Sequence, residues 1–169
     1  MVIFAETNTM IMATLSYVLQ NDFGQKYIEI PMEAKTRKYF QVISDFRAGF
    51  VYIRKDNWLG TALGLMSERN NYRRITLRRK SRDFKMKVVL PDDYRYLKFT
   101  EAKIANLGCH LDTVFRQQFY SFVLGATRTG CSDNFAVIQF LELHGITEEE
   151  WSLDTAKKAW RDYKKICSV

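Results

Sequence analysis

The chain is poor in the residues that break or staple a fold. Its 169 residues include two prolines, eight glycines and three cysteines. So little proline and glycine excludes collagen-like repeats and the linker-rich compositions of disordered proteins. Cys109, Cys131 and Cys167 are odd in number, widely spaced and without a C-x-x-C pair. That pattern argues against a disulfide framework and suits a reducing compartment. Long apolar runs are missing too. The longest uncharged stretch, Thr7 to Asn21, has 15 residues, where a spanning helix needs about 20. The amino terminus has neither the basic start nor the small-residue cleavage site of a signal peptide. The expected location is therefore the cytoplasm, that of an infected cell if the chain is phage-encoded, with no membrane partner.

What is present is ample apolar material, 47% hydrophobic with 24 aromatic residues. A chain of this length removes roughly 70% of its surface from water on folding, enough to bury those rings without metal or disulfides. A single domain over residues 1–169 is expected, mixed and strand-rich over 1–99 and helical over 100–169. Its class is α+β, with antiparallel strands and hairpins in the N-terminal part followed by a helical C-terminal third.

The pattern along the chain carries this reading. Val2 to Ala5 reads as a strand, and Ile11, Leu15, Val18 and Leu19 keep helical spacing until Asn21-Asp22-Phe23-Gly24. Lys26 to Ile30 alternates. Arg37 to Ile43 and Phe50 to Arg54 alternate about a turn-like stretch from Ser44 to Gly49, predicting a hairpin with Phe40, Val42, Val51 and Ile53 inward. Asn57 to Met66 predicts a short helix, in which Gly60 and Gly64 suggest close backbone approach. Ile75 and Leu77 match Phe84, Met86 and Val88 as the inward residues of a second hairpin, turning at Arg79 to Arg82.

Beyond Thr100, an N-cap, apolar residues recur at helical spacing over Glu101 to Leu124, and the stretch Gly125 to Gly130 ends that helix. Ser132 or Asp133 starts the next, with Phe135, Ile138 and Leu141 on one face and Gly145 as C-cap. Thr147 and Glu150 form a T-x-x-E capping box, Ile146 and Trp151 a hydrophobic staple. A last helix over Leu153 to Ile166 buries Ala156, Trp160 and Tyr163.

Charge is the strongest functional signal. The chain carries +7, and from Arg69 to Lys87 nine basic residues face one acid, leaving −1 for the rest. A cationic segment in an otherwise balanced chain points to an anionic partner. Alternation gathers Arg74, Arg78, Lys85 and Lys87 on the outer face of the second hairpin and Arg79, Lys80 and Arg82 at its tip. Like charges opposed on paired strands repel, and phosphate neutralises them. Arg73, Arg74, Arg78, Arg79, Lys80, Arg82, Lys85 and Lys87 are thus the candidate phosphate contacts on DNA or RNA. A plainer role for such cations is to guard an edge strand. The first hairpin would add Arg37, Tyr39, Gln41, Phe50, Tyr52 and Arg54 on its outer face, with Tyr39 and Tyr52 as base-stacking rings.

Enzyme-like patterns fall short. Gly125 to Ser132 has P-loop glycine spacing, but Cys131 replaces the phosphate-binding lysine and a helix precedes it. Asp92 with Glu101 and Lys103 resembles the P-D and E-x-K elements of metal-dependent nucleases, yet Glu101 falls in a helix's first turn instead of on a strand. Cys109, His110, Cys131, His144 and Cys167 match no zinc spacing. No cofactor, metal or catalytic residue is expected.

The expectation is a small non-enzymatic nucleic-acid-binding accessory protein of the mobile-element or phage type. The alternative is a phage or virion structural or assembly protein whose basic hairpin meets nucleic acid or an acidic partner. The C-terminal helices are then candidates for protein–protein interaction or self-association.

Overall fold

A computed structural model describes residues 18–22, 24–67, 84–94 and 99–167. The expected strand at Val2 to Ala5, Ile11 and Leu15, and the first arm and tip of the second hairpin lie outside the described residues. Among the described residues the N-terminal part forms a five-stranded mixed sheet, and helices follow.

Strands β1 (Leu19–Gln20) and β2 (Lys26–Met32) make one antiparallel hairpin, so Leu19 is extended and not helical. The side chain of Asn21 closes the turn, its Oδ1 accepting from the Gln25 backbone N–H at 2.9 Å. Another hairpin pairs β3 (Asp45–Arg47) with β4 (Phe50–Tyr52). Its two linking residues, Ala48 and Gly49, both have positive φ, 50° and 83°. That backbone matches the strand twist but strains the alanine.

Arg37 to Ile43 is therefore not a strand. It belongs to helix α1 (Ala34–Ile43), which buries Thr36, Tyr39 and Phe40 at helical spacing. Val42, expected inward, is 50% exposed. Strand β5 (Phe84–Val89) enters between the hairpins, antiparallel to β2 and parallel to β4. It is an inner strand, which removes the edge-guarding reading of its lysines.

Alternation divides the sheet into two faces. On one, Ile28 pairs with Val88, Ile30 with Met86 and Met32 with Phe84, and Val51 joins from β4. All but Phe84 are buried; that ring, at the end of the strand pair, is 42% exposed under the Arg37 guanidinium.

Helix α2 (Trp58–Ser67) is started by Asn57, whose Oδ1 accepts from the Gly60 N–H at 2.7 Å. A Cβ at Gly60 would stand 2.1 Å from the Arg54 carbonyl oxygen, the close approach the glycine implied. Helix α3 (Glu101–Arg128) begins as expected, with Thr100 Oγ1 accepting from the Lys103 N–H. It lies against β2 so closely that a Cβ on Gly108 would sit 1.8 Å from the Pro31 carbonyl oxygen. The helix outlasts its predicted end at Leu124, because Gly125 faces open space and its backbone continues the turn.

Helix α4 (Asp133–Leu143) starts at Ser132, whose Oγ accepts from the Phe135 N–H. Its buried residues are Ala136, Val137, Phe140 and Leu141, whereas Phe135 is half exposed and Ile138 half-buried, so the inward face is rotated from the expected one. Gly145, at φ 57°, ends it in a Schellman turn in which the Ile146 N–H donates to the Leu141 carbonyl. Only half of the expected capping box forms: the Glu150 carboxylate accepts from the Thr147 N–H, but the Thr147 hydroxyl turns to that same carboxylate. The box ends one turn of chain, and Ser152 caps helix α5 (Leu153–Cys167) through the Thr155 N–H. Ile146 and Trp151 are both buried, but with Ser152 as the cap they do not stand at the staple positions of α5.

Helices α1 and α3 cover the apolar sheet face, and α4 and α5 pack on α3 and on each other. One apolar cluster runs from Val51 and Val88 through Phe115 and Phe119 to Trp160. No described helix is long and apolar enough to cross a membrane.

Candidate functional site

The second face of the sheet is where sequence and structure meet. Register places Tyr27, Glu29, Lys85, Lys87, Val89, Phe50, Tyr52, Asp45 and Arg47 on that side. Helices α1 and α3 pack on the opposite face; on this one Lys85 and Lys87 are exposed, Tyr27, Phe50 and Tyr52 are half-buried and Val89 is buried.

The central feature is a lysine over a pair of touching rings. Tyr27 and Phe50 meet edge to face at 5.1 Å, from strands on either side of β5. Lys87 extends over the pair, its Nζ 5.8 Å from the Tyr27 centroid and 5.4 Å from that of Phe50. Cations over aromatic faces are held by the ring quadrupole. Glu29 lies directly opposite Lys87 in the register, yet its carboxylate takes the diagonal Lys85 at 2.8 Å. That hydrogen bond holds the Lys85 pKa above its usual value. Lys87 thus keeps an ammonium that no described carboxylate neutralises.

A second pairing of ring and cation lies beside the first. The Arg47 guanidinium stands 5.0 Å from the Tyr52 centroid, and its Nε donates to Asp45 Oδ1 at 2.9 Å. The hydrogen bond to Arg47 lowers the Asp45 pKa. The Tyr52 hydroxyl donates to Gln25 Oε1 at 3.2 Å, which fixes the ring's orientation.

Of the residues singled out from sequence, Lys85, Lys87 and Tyr52 come together here, with Phe50. Tyr39 does not. It is 6% exposed inside the helical core, with Phe115 at 5.5 Å and His144 at 4.8 Å, and burial raises the pKa of its hydroxyl. Its place as a stacking ring is withdrawn, because α1 turns it toward α3 and α4. Arg37 and Gln41 go with the same helix. Arg73, Arg74, Arg78, Arg79, Lys80 and Arg82 lie outside the described residues.

Tyr27 and Arg47 were missed. The signal for Tyr27 was available, since Ile28 and Ile30 inward put Tyr27 outward in the same alternating run. Arg47 was hidden in what read as a turn.

The remaining patterns resolve simply. Asp92 lies in a 3-10 turn, Asp92–Tyr94, and Glu101 and Lys103 stand in the first turn of α3, so no strand presents the E-x-K pair. Gly125 to Arg128 is the last turn of α3 and not a phosphate loop. Cys109, Cys131 and Cys167 form no disulfide with one another. Among the described residues no three His, Cys, Asp or Glu side chains are grouped as a metal site. His144 caps α4, with Nδ1 2.8 Å from the Phe140 carbonyl oxygen. No known protein family, curated protein or solved structure matches the chain.

Proposed function

We propose that the chain is a non-enzymatic nucleic-acid-binding accessory protein that takes a strand across the open sheet face. The observation that carries this reading is Lys87 set over the touching rings of Tyr27 and Phe50, with Arg47 over Tyr52 alongside. Rings supply sequence-tolerant stacking surfaces and cations supply phosphate contacts, the combination used by single-strand binders. The cationic segment leads into this face, for Lys85 and Lys87 are its last two basic residues. Arg73, Arg74, Arg78, Arg79, Lys80 and Arg82 add phosphate contacts in this reading, and the chain acts in the cytoplasm of a cell carrying a mobile element or phage.

Salt-dependent oligonucleotide binding tests it. Log affinity is expected to fall linearly with log salt, with a slope set by the number of phosphates neutralised. The assembly role is the second reading, favoured by Phe135 and Leu143, which are 50% and 63% exposed on α4. A stable higher oligomer with no nucleic-acid affinity at low salt would replace the first reading with the second.

A further inference from the structure

A cleft adjoins the aromatic face at the edge of the sheet. It has a volume of about 330 Å³ and lies between β4, the end of α1 and the start of α2. Ile53 and Leu59, both buried, give it an apolar base, and Trp58 and Tyr52 line it. Trp58 is 45% exposed although its indole also packs on Phe40, with centroids 5.7 Å apart. A large ring anchored on one side and open on the other is a stacking surface.

Polar groups stand beside it. Asn57 lines the cleft, and because its Oδ1 is committed to the Gly60 N–H, its amide nitrogen is left to donate. Ser44 adds a hydroxyl, Asp45 a carboxylate bonded to Arg47, and Arg54 a guanidinium paired at 3.0 Å with Asp56. Pockets for small ligands start near 300 Å³ and combine apolar walls with a few placed polar groups. This cleft stands at the lower limit, large enough for one heteroaromatic ring system. Its position matters as much as its size. Tyr52 belongs both to the cleft and to the open face, where Arg47 covers its ring.

We infer that this cleft receives one unstacked base of a single-stranded nucleic acid lying on the open face, with Trp58 as its stacking partner. The inference rests on the proposed function and narrows it to single strands, because a base inside a duplex is paired and cannot enter. Arg54 and the neighbouring Arg47 are each paired with an aspartate, but Lys87 on the adjoining face keeps an ammonium that no described carboxylate neutralises, which favours a base still attached to its phosphates over an uncharged aromatic side chain of a protein.

Tryptophan fluorescence isolates the site, since Trp151 and Trp160, the other two tryptophans, are buried. Oligothymidylate is expected to quench the Trp58 signal, and an abasic strand of equal length to bind through phosphates without quenching. Trp58→Ala should weaken oligothymidylate binding by about 5- to 140-fold, the range of one base–aromatic stack, while leaving the salt slope unchanged. Trp58→Phe keeps a ring on Phe40 and should retain most of the affinity, which guards against a folding defect in the alanine variant. Tight binding of oligothymidylate without quenching, and unchanged in Trp58→Ala, overturns the inference and leaves the nucleic-acid reading standing. Thymidine monophosphate bound as tightly as the strand also overturns it, by making the cleft a free-nucleotide site. No binding of either strand at low salt removes both readings.

Discussion

The ammonium of Lys87 lies 5.4 Å from the centre of the Phe50 ring, across the parallel pairing of β5 with β4. Lys85, on the same face, is tied to Glu29 at 2.8 Å. The two lysines therefore differ in what a phosphate gains from them. Lys87→Ala should reduce the steepness of log affinity against log salt by about 0.7 for a single strand. Lys85→Ala should reduce it by less, since Glu29 already competes for that charge. Both side chains are exposed, so the fold should be retained. Equal reductions in the two variants would show that the Glu29 pair opens on binding, and no reduction in either would move the phosphate path off this face.

Two glycines in one helix should respond to alanine with opposite signs. Helix propensity alone favours alanine by about 1 kcal/mol at an interior position. At Gly125 nothing stands within 4 Å of the added Cβ, so Gly125→Ala should gain up to about 1 kcal/mol. At Gly108 the added carbon would fall 1.8 Å from the Pro31 carbonyl oxygen. That atom is backbone of β2, paired there with β5, and moving α3 away from β2 opens the core. Gly108→Ala should cost about 3 kcal/mol or more. Urea midpoints decide, and a neutral Gly108→Ala would mean that the helix shifts freely on the sheet.

The helical half was legible because its signals are local. Thr100, Ser132 and Gly145 act where the sequence puts them, since a cap needs only its own turn. Strand pairing is not local. The insertion of β5 between two hairpins depends on contacts that no short window contains, so the face joining Lys87 to Tyr27 and Phe50 could not be read in advance. Helix α1 was misread for a different reason. Tyr39, Phe40, Val42 and Ile43 are aromatic or β-branched and mimic a strand, although Thr36, Tyr39 and Phe40 already hold helical spacing.

The same contrast sets an expectation at the last helix. Ser152 Oγ accepts from the Thr155 N–H at 3.3 Å, whereas the Thr147 hydroxyl faces the Glu150 carboxylate. Ser152→Ala should lose about 1 kcal/mol of stability, the usual cost of an N-cap. Thr147→Ala should lose less, because the Glu150 carboxylate still accepts from the Thr147 N–H. Neither should alter oligonucleotide affinity. A larger loss at Thr147 would restore it as the cap that its sequence pattern suggests.

Acid should act on the join between α4 and α5. Asp133, in the first turn of α4, pairs with Lys164 in the last turn of α5, and the hydrogen bond from Lys164 lowers its pKa from the ordinary 3.8. A carboxylate with a depressed folded-state pKa contributes stability above its unfolded value, and loses it as pH falls through the lower folded value. Both side chains are partly solvated, which holds the contribution to about 0.5–1 kcal/mol, including the charge's interaction with the helix N-terminus. Asp133→Asn should therefore be less stable than the parent at pH 7 by about that amount. The gap should persist down to roughly pH 4 and close below it. Urea midpoints of the two proteins across this range provide the measurement. A gap that stays constant into strong acid would assign the effect to packing at the helix start and not to the carboxylate's charge.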